Sequence, residues 1–453
     1  MHCVSIPTVN SLFGLSDRMK ERLAKEMIER HQQQVAKAAN APAKPPVTRH
    51  NQIPEEYCRF DRFSGYQMIK SMEAASQQLG VASPFFKLHD GIASSTATIN
   101  GKNYVNFANY NYLNLNGHPA VNEAAKQAIE QYGTSVSASR PVAGERPLQR
   151  DLEQALAACY GVEDCIVFVS GHATNVTTIG YLFGSKDLIL HDALIHNSVL
   201  QGIQLSGAKR IPFAHNDWQA LDELLTAHRK DFERVLIVIE GIYSMDGDYP
   251  DLPRFIDIKR RHKAFLMVDE AHSLGILGKT GKGIHEHFGI NGKDVDIWMG
   301  TLSKTLAGCG GYIAGEKALV EHLKYSAPGF LYSVGIAPPV AAASLAALKL
   351  MNAEPERVKQ LHANGKFFLE RCQQEGINTG YSVGLSVIPA IVGNSAKAGR
   401  LSNALFAEGI NVQPIFYPAV EEGLARLRFF ISSAHSQEQL NFTAKTLGRL
   451  LRK

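Results

Sequence analysis

The chain has 453 residues, 45% of them apolar and 20% charged, and a formal net charge of +4. This is an ordinary globular composition, long enough for a large core and two or three domains. The dispersed cations form no stripe for nucleic acid, and no apolar run reaches the ~18 or more residues of a membrane span.

The first 30 residues lack the apolar core of a signal peptide. The six cysteines, Cys3, Cys58, Cys159, Cys165, Cys309 and Cys372, form no C-x-x-C pair. They read as reduced thiols of a cytoplasmic protein, and no metal is assigned. Residues 1–50 are an extension: a helix capped by Ser16 or Asp17 runs to about Ala39, with Met19, Leu23 and Met27 on one stripe, and the stretch Ala38 to Pro46 breaks it. It reads as a surface extension or as a docking helix for a partner such as an acyl-carrier protein.

From Ile53 the texture becomes globular. His89 to Phe107 predicts a hairpin turning at Asn100-Gly101. Helical spacing follows over Pro119 to Tyr132 and Pro147 to Tyr160. Between them Gly133 to Arg140 is rich in small hydroxyl residues, which cannot fill a core, so it is a loop that lines something.

After residue 160, short apolar runs alternate with helix-length segments: Cys165 to Val169, Leu188 to Leu190, Val235 to Ile239, Phe265 to Val268 and Val295 to Met299. This pattern predicts an α/β fold with a mostly parallel sheet covered on both faces and a ligand site at its carboxyl edge. Lys259-Arg260-Arg261-His262-Lys263, the densest basic run, reads as a solvated helix end with cations near the negative pole of the dipole. Pro338 to Met351 predicts a long helix leaving the sheet for a smaller C-terminal unit with strands at Leu385 to Val392, Val412 to Phe416 and Leu427 to Ile431. The chain closes on an amphipathic helix, Gln437 to Leu451. The expected domains are a segment over 51–110 packing on the small domain, a large domain over 111–340 and a small one over 341–453.

Four strand ends carry the chemistry. Asp269, in Val-Asp-Glu-Ala-His-Ser-Leu-Gly, is a carboxylate at the sheet edge that needs a cationic partner, and a pyridinium nitrogen supplies one. Lys304 follows 35 residues later between Thr301, Ser303 and a glycine cluster. On its own, Ser-Lys-Thr before glycines fits other phosphate loops equally; with Asp269 it reads as the lysine of a pyridoxal phosphate (PLP) site. Ser170-Gly171-His172 opens a helix after a strand, where free N–H groups suit a phosphate dianion. Ser244, after another strand, is able to hydrogen-bond the cofactor ring or its oxygen.

The order Ser-Gly-x-x-x-Asn, His-x-Ser, Glu-Gly-x-x-Ser-Met-Asp-Gly-Asp, Val-Asp-Glu-Ala-His-Ser-x-Gly, Thr-x-Ser-Lys and Arg-Leu-Arg, from about residue 51 to the end, resembles the α-oxoamine synthase family. The resemblance implies PLP-dependent fold type I, with a large domain and a smaller α/β C-terminal domain. It implies Lys304 as the Schiff-base lysine, Asp269 on the pyridine nitrogen, and His272 and Ser244 on the ring oxygen. His196, chosen over His191, would stack on the ring, and Gly171, His172 and Thr301 would hold the phosphate. Arg428, before Arg426, resembles the arginine that clamps the amino-acid carboxylate. Ser333, in Leu331-Tyr332-Ser333-Val334, lies where relatives reach a neighbouring subunit's phosphate, which implies a homodimer with shared active sites.

The implied reaction is a decarboxylative condensation of an amino acid with an acyl thioester. Lys304 moves the Cα proton, and His196 and His272 stabilise the developing oxyanion or orient the departing carboxylate. Ser139 stands where glycine-restricted relatives have threonine, which favours alanine or serine as substrate. Ile53 to Tyr57 and Pro84 to Lys87 resemble the synthase domains of polyketide assembly lines, so an acyl-carrier protein rivals acyl-CoA as donor. The alternatives are a PLP aminotransferase or β-hydroxy amino acid lyase on the same fold, and a silent scaffold subunit, against which the presence of Lys304, Asp269 and His272 argues.

Overall fold

A computed structural model describes residues 53–78 and 82–452. The expected helix from Ser16 or Asp17 to Ala39, its linker and Cys3 lie outside the described residues. The chain divides into a unit up to Ser83 and a unit from Pro84 onward. In the first, helix α1 (Ser64–Gln78) follows two 3-10 turns, Glu55–Tyr57 and Phe60–Arg62.

The second unit opens with β1 (His89–Asp90), β2 (Thr96–Ile99) and β3 (Lys102–Asn106). Ile99 pairs with Lys102, so Asn100 and Gly101 alone make the turn. Both have positive φ, 51° and 73°, the type I′ geometry that Asn-Gly favours.

Then come β4 (Asp164–Phe168), β5 (Leu188–Asp192), β6 (Lys209–Phe213), β7 (Val235–Glu240), β8 (Phe265–Asp269), β9 (Ile297–Thr301) and β10 (Gly311–Gly315). They form one seven-stranded sheet in the order β4-β10-β9-β8-β7-β5-β6. The pairs from β9 through β8, β7 and β5 to β6 are parallel, and β10 is antiparallel to both its neighbours. Alternate residues face opposite cores. Cys165, Val167, Leu190, Ile237, Val268 and Trp298 join one cluster, while Ile166, Phe168, Ile189, Val238, Met267 and Met299 join the other. Each fully buried large aliphatic side chain contributes about 1.5–3 kcal/mol, so a strand slipped by one residue would exchange two cores at once.

The helices Pro119–Tyr132 and Pro147–Tyr160 each begin with proline at N1 and end at a glycine, Gly133 and Gly161. Helix Pro338–Ala353 packs on both of them, not away from them; its Ala-rich flank, with Ala341, Ala343 and Ala347 buried, permits that close approach. The basic helix end is confirmed at Leu252–His262, but it is ion-paired, not merely solvated: Lys259 meets Asp296 at 2.7 Å and His262 meets Asp222 at 2.7 Å.

Beyond it lie β11 (Val387–Gly393), β12 (Ile410–Asn411), β13 (Gln413–Ile415) and β14 (Ala425–Phe430). The sheet β11-β14-β13 is separate from the large one. β12 instead extends the hairpin, running parallel to β3, and Tyr104 stacks on Phe406 at 4.2 Å. The last helix, Gln437–Leu451, starts at a Ser436/Gln439 capping box. Among the described residues no helix is long and apolar enough to cross a membrane.

Candidate active site

A cleft of about 230 Å³ opens at the carboxyl ends of β4, β8 and β9. It gathers Gly171, His172, His196, Asp269, His272, Thr301 and Lys304 from four separate stretches of sequence. Each stands at or just after the end of a strand, because parallel strands terminate on one edge and their turns meet there.

Asp269 is the last residue of β8. Its Oδ1 accepts from the Ala271 N–H at 3.0 Å and its Oδ2 from the Asn175 side-chain amide at 2.9 Å. The same amide nitrogen reaches Ser198 Oγ at 2.9 Å, and that hydroxyl lies 2.7 Å from His196 Nδ1. Nδ1 also accepts from the Ser198 N–H at 3.3 Å, as the N-cap of helix Asn197–Ser206. With Nδ1 accepting, a neutral His196 ring carries its proton on Nε2.

Lys304 sits in the tight loop after β9. Ala307 N–H bonds back to its carbonyl at 3.1 Å, and Thr305 Oγ1 donates to Leu274 O at 2.8 Å. Burial pushes the Lys304 amine down to about 8, against the attraction of Asp269 and Glu240; an amine so placed is available as a nucleophile near neutrality. His272 is buried. Burial first, then Lys304 and Arg428, hold its ring well below the ordinary histidine range, so it is neutral, with Nδ1 2.8 Å from Tyr112 Oη.

At the other end of the cleft, helix Gly171–Leu182 begins, capped by Ser170, whose Oγ accepts from Ala173 N–H at 3.3 Å. Thr301 Oγ1 donates to Gly310 O at 3.0 Å and lies 2.7 Å from Ser303 Oγ. The glycines are required by close approach: a Cβ on Gly171 would stand 2.8 Å from Thr301 Oγ1, and one on Gly311 would stand 2.7 Å from Gly171 Cα.

Arg428 lies on β14 with its guanidinium 4.6 Å from the Phe430 ring centre. One terminal nitrogen donates to Ser244 O at 3.1 Å, while the buried Nε has no partner. Arg426, by contrast, is engaged with Asp246 at 2.7 Å and the Met245 carbonyl at 3.0 Å. Arg428 and Ser244 thus adjoin each other but are not part of the cleft lining. Ser333 and Ser139 also stand outside it: Ser139 forms a β-bridge with Val334, and Gly335 N–H bonds Ala138 O at 3.0 Å.

Among the lining residues that received no role from the sequence are Asn175, Ser198 and Glu240. Their letters stand in the motifs, but only the fold shows that Asn175 and Ser198 link Asp269 to His196. Glu240 is fully buried, and burial followed by the nearby Asp269 charge raises its carboxyl well above the usual range.

The residues present fit PLP. The cleft brings together the N–H groups of a helix start with the Thr301 and Ser303 hydroxyls, the hydrogen-bonded Asp269 carboxylate and the depressed Lys304 amine.

A family model described as aminotransferase class I and II matches residues 102–447. The chain is 40% identical over 355 residues to the 8-amino-7-oxononanoate synthase of Thermosipho melanesiensis, covering 78% of this chain and 90% of the relative. It is 39% identical over 347 residues to that of Fervidobacterium nodosum, covering 76% and 87%. Among solved structures, serine palmitoyltransferase from S. paucimobilis superposes with a TM-score of 0.82 at 27% identity, over 86% of this chain and 98% of that one. The 8-amino-7-oxononanoate synthase of Francisella tularensis gives 0.67 at 26%, over 77% and 98%.

Fold and cleft together define a PLP-dependent enzyme of fold type I. The chain belongs to the aminotransferase class I and II family and, within it, to the α-oxoamine synthases. It is accordingly a PLP-dependent acyltransferase.

Proposed function

We propose that this enzyme condenses a small L-amino acid, alanine or serine in preference to glycine, with an acyl thioester carried by CoA or an acyl-carrier protein. The new bond joins Cα to the acyl carbon, the C–S bond breaks to release free thiol, the amino-acid carboxyl leaves as CO₂, and an α-amino ketone remains. The observation that carries this reading is the meeting of the Lys304 amine and the Asp269 carboxylate in one cleft, with Arg428 close enough to depress that amine further.

In this reading Lys304 binds PLP covalently and Asp269 pairs with its ring nitrogen. His196 stacks on the ring, His272 and Ser244 bond its oxygen, and Gly171, His172 and Thr301 hold its phosphate. When bound, PLP supplies the electron sink that makes Cα acidic. The chain's own residues do the rest. Arg428, with its free Nε, binds the substrate carboxylate. Lys304, once displaced by substrate, takes the Cα proton with an amine near neutrality. The neutral ring of His272, its Nδ1 held by Tyr112, leaves Nε2 to face a developing oxyanion, and His196 shares that task.

Ser139 and Ser333 have a place in a dimer with shared sites. Tyr332 is 86% and Val334 48% exposed on the segment that bridges to Ser139, so this segment offers an exposed apolar surface through which Ser333 would reach the partner's phosphate and Ser139 the substrate pocket. The five described cysteines are all free thiols, which supports a cytoplasmic setting. We keep the division into 51–110, 111–340 and 341–453 as a proposal, supported by the separate sheet β11-β14-β13. The deciding assay is thiol release across a panel of amino acids and acyl-CoA or acyl-carrier donors. Amino-acid-dependent release supports the condensation; amino-group transfer or aldol cleavage without thiol would make the enzyme an aminotransferase or lyase.

A further inference from the structure

The edge strand β6 ends next to a residue that the site leaves unused, His215. Its side chain is 15% exposed, and both ring nitrogens meet carboxylates. Nδ1 lies 2.9 and 3.1 Å from the two oxygens of Asp192, and Nε2 lies 2.9 Å from Oδ2 of Asp248. Asn216 reinforces both, its N–H donating to Asp192 at 2.8 Å and its side-chain amide to Asp248 at 2.8 Å. A neutral imidazole has one N–H and would turn a lone pair towards one of these carboxylates; only the doubly protonated ring donates to both. Burial opposes that charge, but the hydrogen bonds to Asp192 and Asp248 outweigh it and raise the ring to about 10. The other groups facing the ring are Tyr243, edge-on at 4.5 Å, and Tyr381 at 5.9 Å.

Each aspartate anchors one stretch of the site. Asp192 accepts from Leu194 N–H at 2.8 Å through its side chain and from Ile195 N–H at 3.2 Å through its carbonyl, making the turn that delivers His196. The Asp248 carbonyl accepts from Tyr243 N–H at 2.9 Å and closes the loop 243–248. That loop seats Arg428 through Ser244 O and Met245 Sδ, and Arg426 through Asp246.

We propose that His215 is a positioning residue, a clasp between Asp192 and Asp248 that fixes the His196 turn against the loop seating Arg428. The inference rests on the reading of His196 and Arg428 as cofactor- and amino-acid-binding groups. It gives a role to the second aspartate of Met-Asp-Gly-Asp and to the aspartate of the His191-Asp192 pair, neither of which enters the cleft lining.

The test uses the PLP-loaded full chain and the amino-acid dissociation constant, read from the cofactor's spectral response to alanine or serine. In His215→Gln, which loses the charge and one donor, that constant should rise tenfold or more while bound PLP is retained. In Asp248→Asn the ring keeps one carboxylate and loses its proton more readily. Affinity should then resemble wild type near about pH 6 and fall along an alkaline limb that begins below the wild-type one. This second variant carries the test if His215→Gln does not fold. Equal affinities for wild type and Asp248→Asn across the range, or a lowered melting temperature with no pH-dependent loss of affinity, would overturn the clasp. Thiol release plays no part in this readout, so failure of the condensation and failure of the clasp are separate results.

Discussion

Asn175 holds the carboxylate of Asp269, its amide nitrogen 2.9 Å from Oδ2. The same nitrogen reaches Ser198 Oγ, so Asp269 and, through that hydroxyl, His196 are set by one amide. A hydrogen bond to a charged group contributes about 1.5–3 kcal/mol. Asn175→Ala should therefore raise the PLP dissociation constant by roughly 10- to 100-fold, since each ~1.4 kcal/mol is tenfold. Ser198→Ala removes a neutral contact of about 1 kcal/mol and should cost roughly fivefold. Equilibrium PLP titration of the apo-proteins checks both, and equal losses would contradict the ranking.

The two arginines of β14 should separate into different phenotypes. Arg428→Lys keeps the charge but loses the planar fork, so KM for the amino acid should rise at least tenfold with little change in melting temperature. Arg426→Ala strands buried Asp246 and should cost about 3–5 kcal/mol of stability, the usual result of breaking a buried pair. Steady-state kinetics and urea unfolding on the two variants distinguish them.

Burial pushes the Lys304 amine down to about 8. Its protonated form cannot attack a carbonyl, so capture of PLP by the apo-enzyme should speed up as pH rises through about 8 and level off above it. A stopped-flow pH series measures this. A rate independent of pH would mean that another step, or another amine, governs capture.

Glu153 has a fully buried side chain, and Arg140 pairs with it and with Glu145. Arg150 and Lys324 lie 3.4 and 3.3 Å from Glu153 Oε2. Arg140→Ala leaves a buried carboxylate short of its main partner and should destabilise the fold by about 3–5 kcal/mol in urea.

Much of this was legible in the sequence because two periodicities are strong. Five strands of the large sheet carry short apolar runs, and at the turn Asn100-Gly101 both residues tolerate positive φ. β6 was not legible, since Lys-Arg-Ile-Pro-Phe is an edge strand with exposed polar positions. β10 was not either, because Gly-Tyr-Ile-Ala-Gly gives packing room instead of apolar bulk. Strand ends shifted by a residue or two, as at β9, where Ile297–Thr301 replaces Val295 to Met299. For the site, Lys304 and Asp269 announce themselves by charge at apolar strand ends. Asn175 and Ser198 do not, because a buried amide or hydroxyl has meaning only through the groups it joins. His215 is similar: nothing at β6 signals that Asp192, at the end of β5, and Asp248, in the loop after β7, will converge on it.

The central claim is that Lys304 is the amine that binds PLP. The direct measurement is borohydride reduction of the PLP-loaded enzyme followed by peptide mapping. The account predicts one stable pyridoxyl label, on the peptide containing Lys304, and its absence in Lys304→Ala with loss of the borohydride-sensitive visible band. A label on another lysine, or a band that persists in Lys304→Ala, would contradict it.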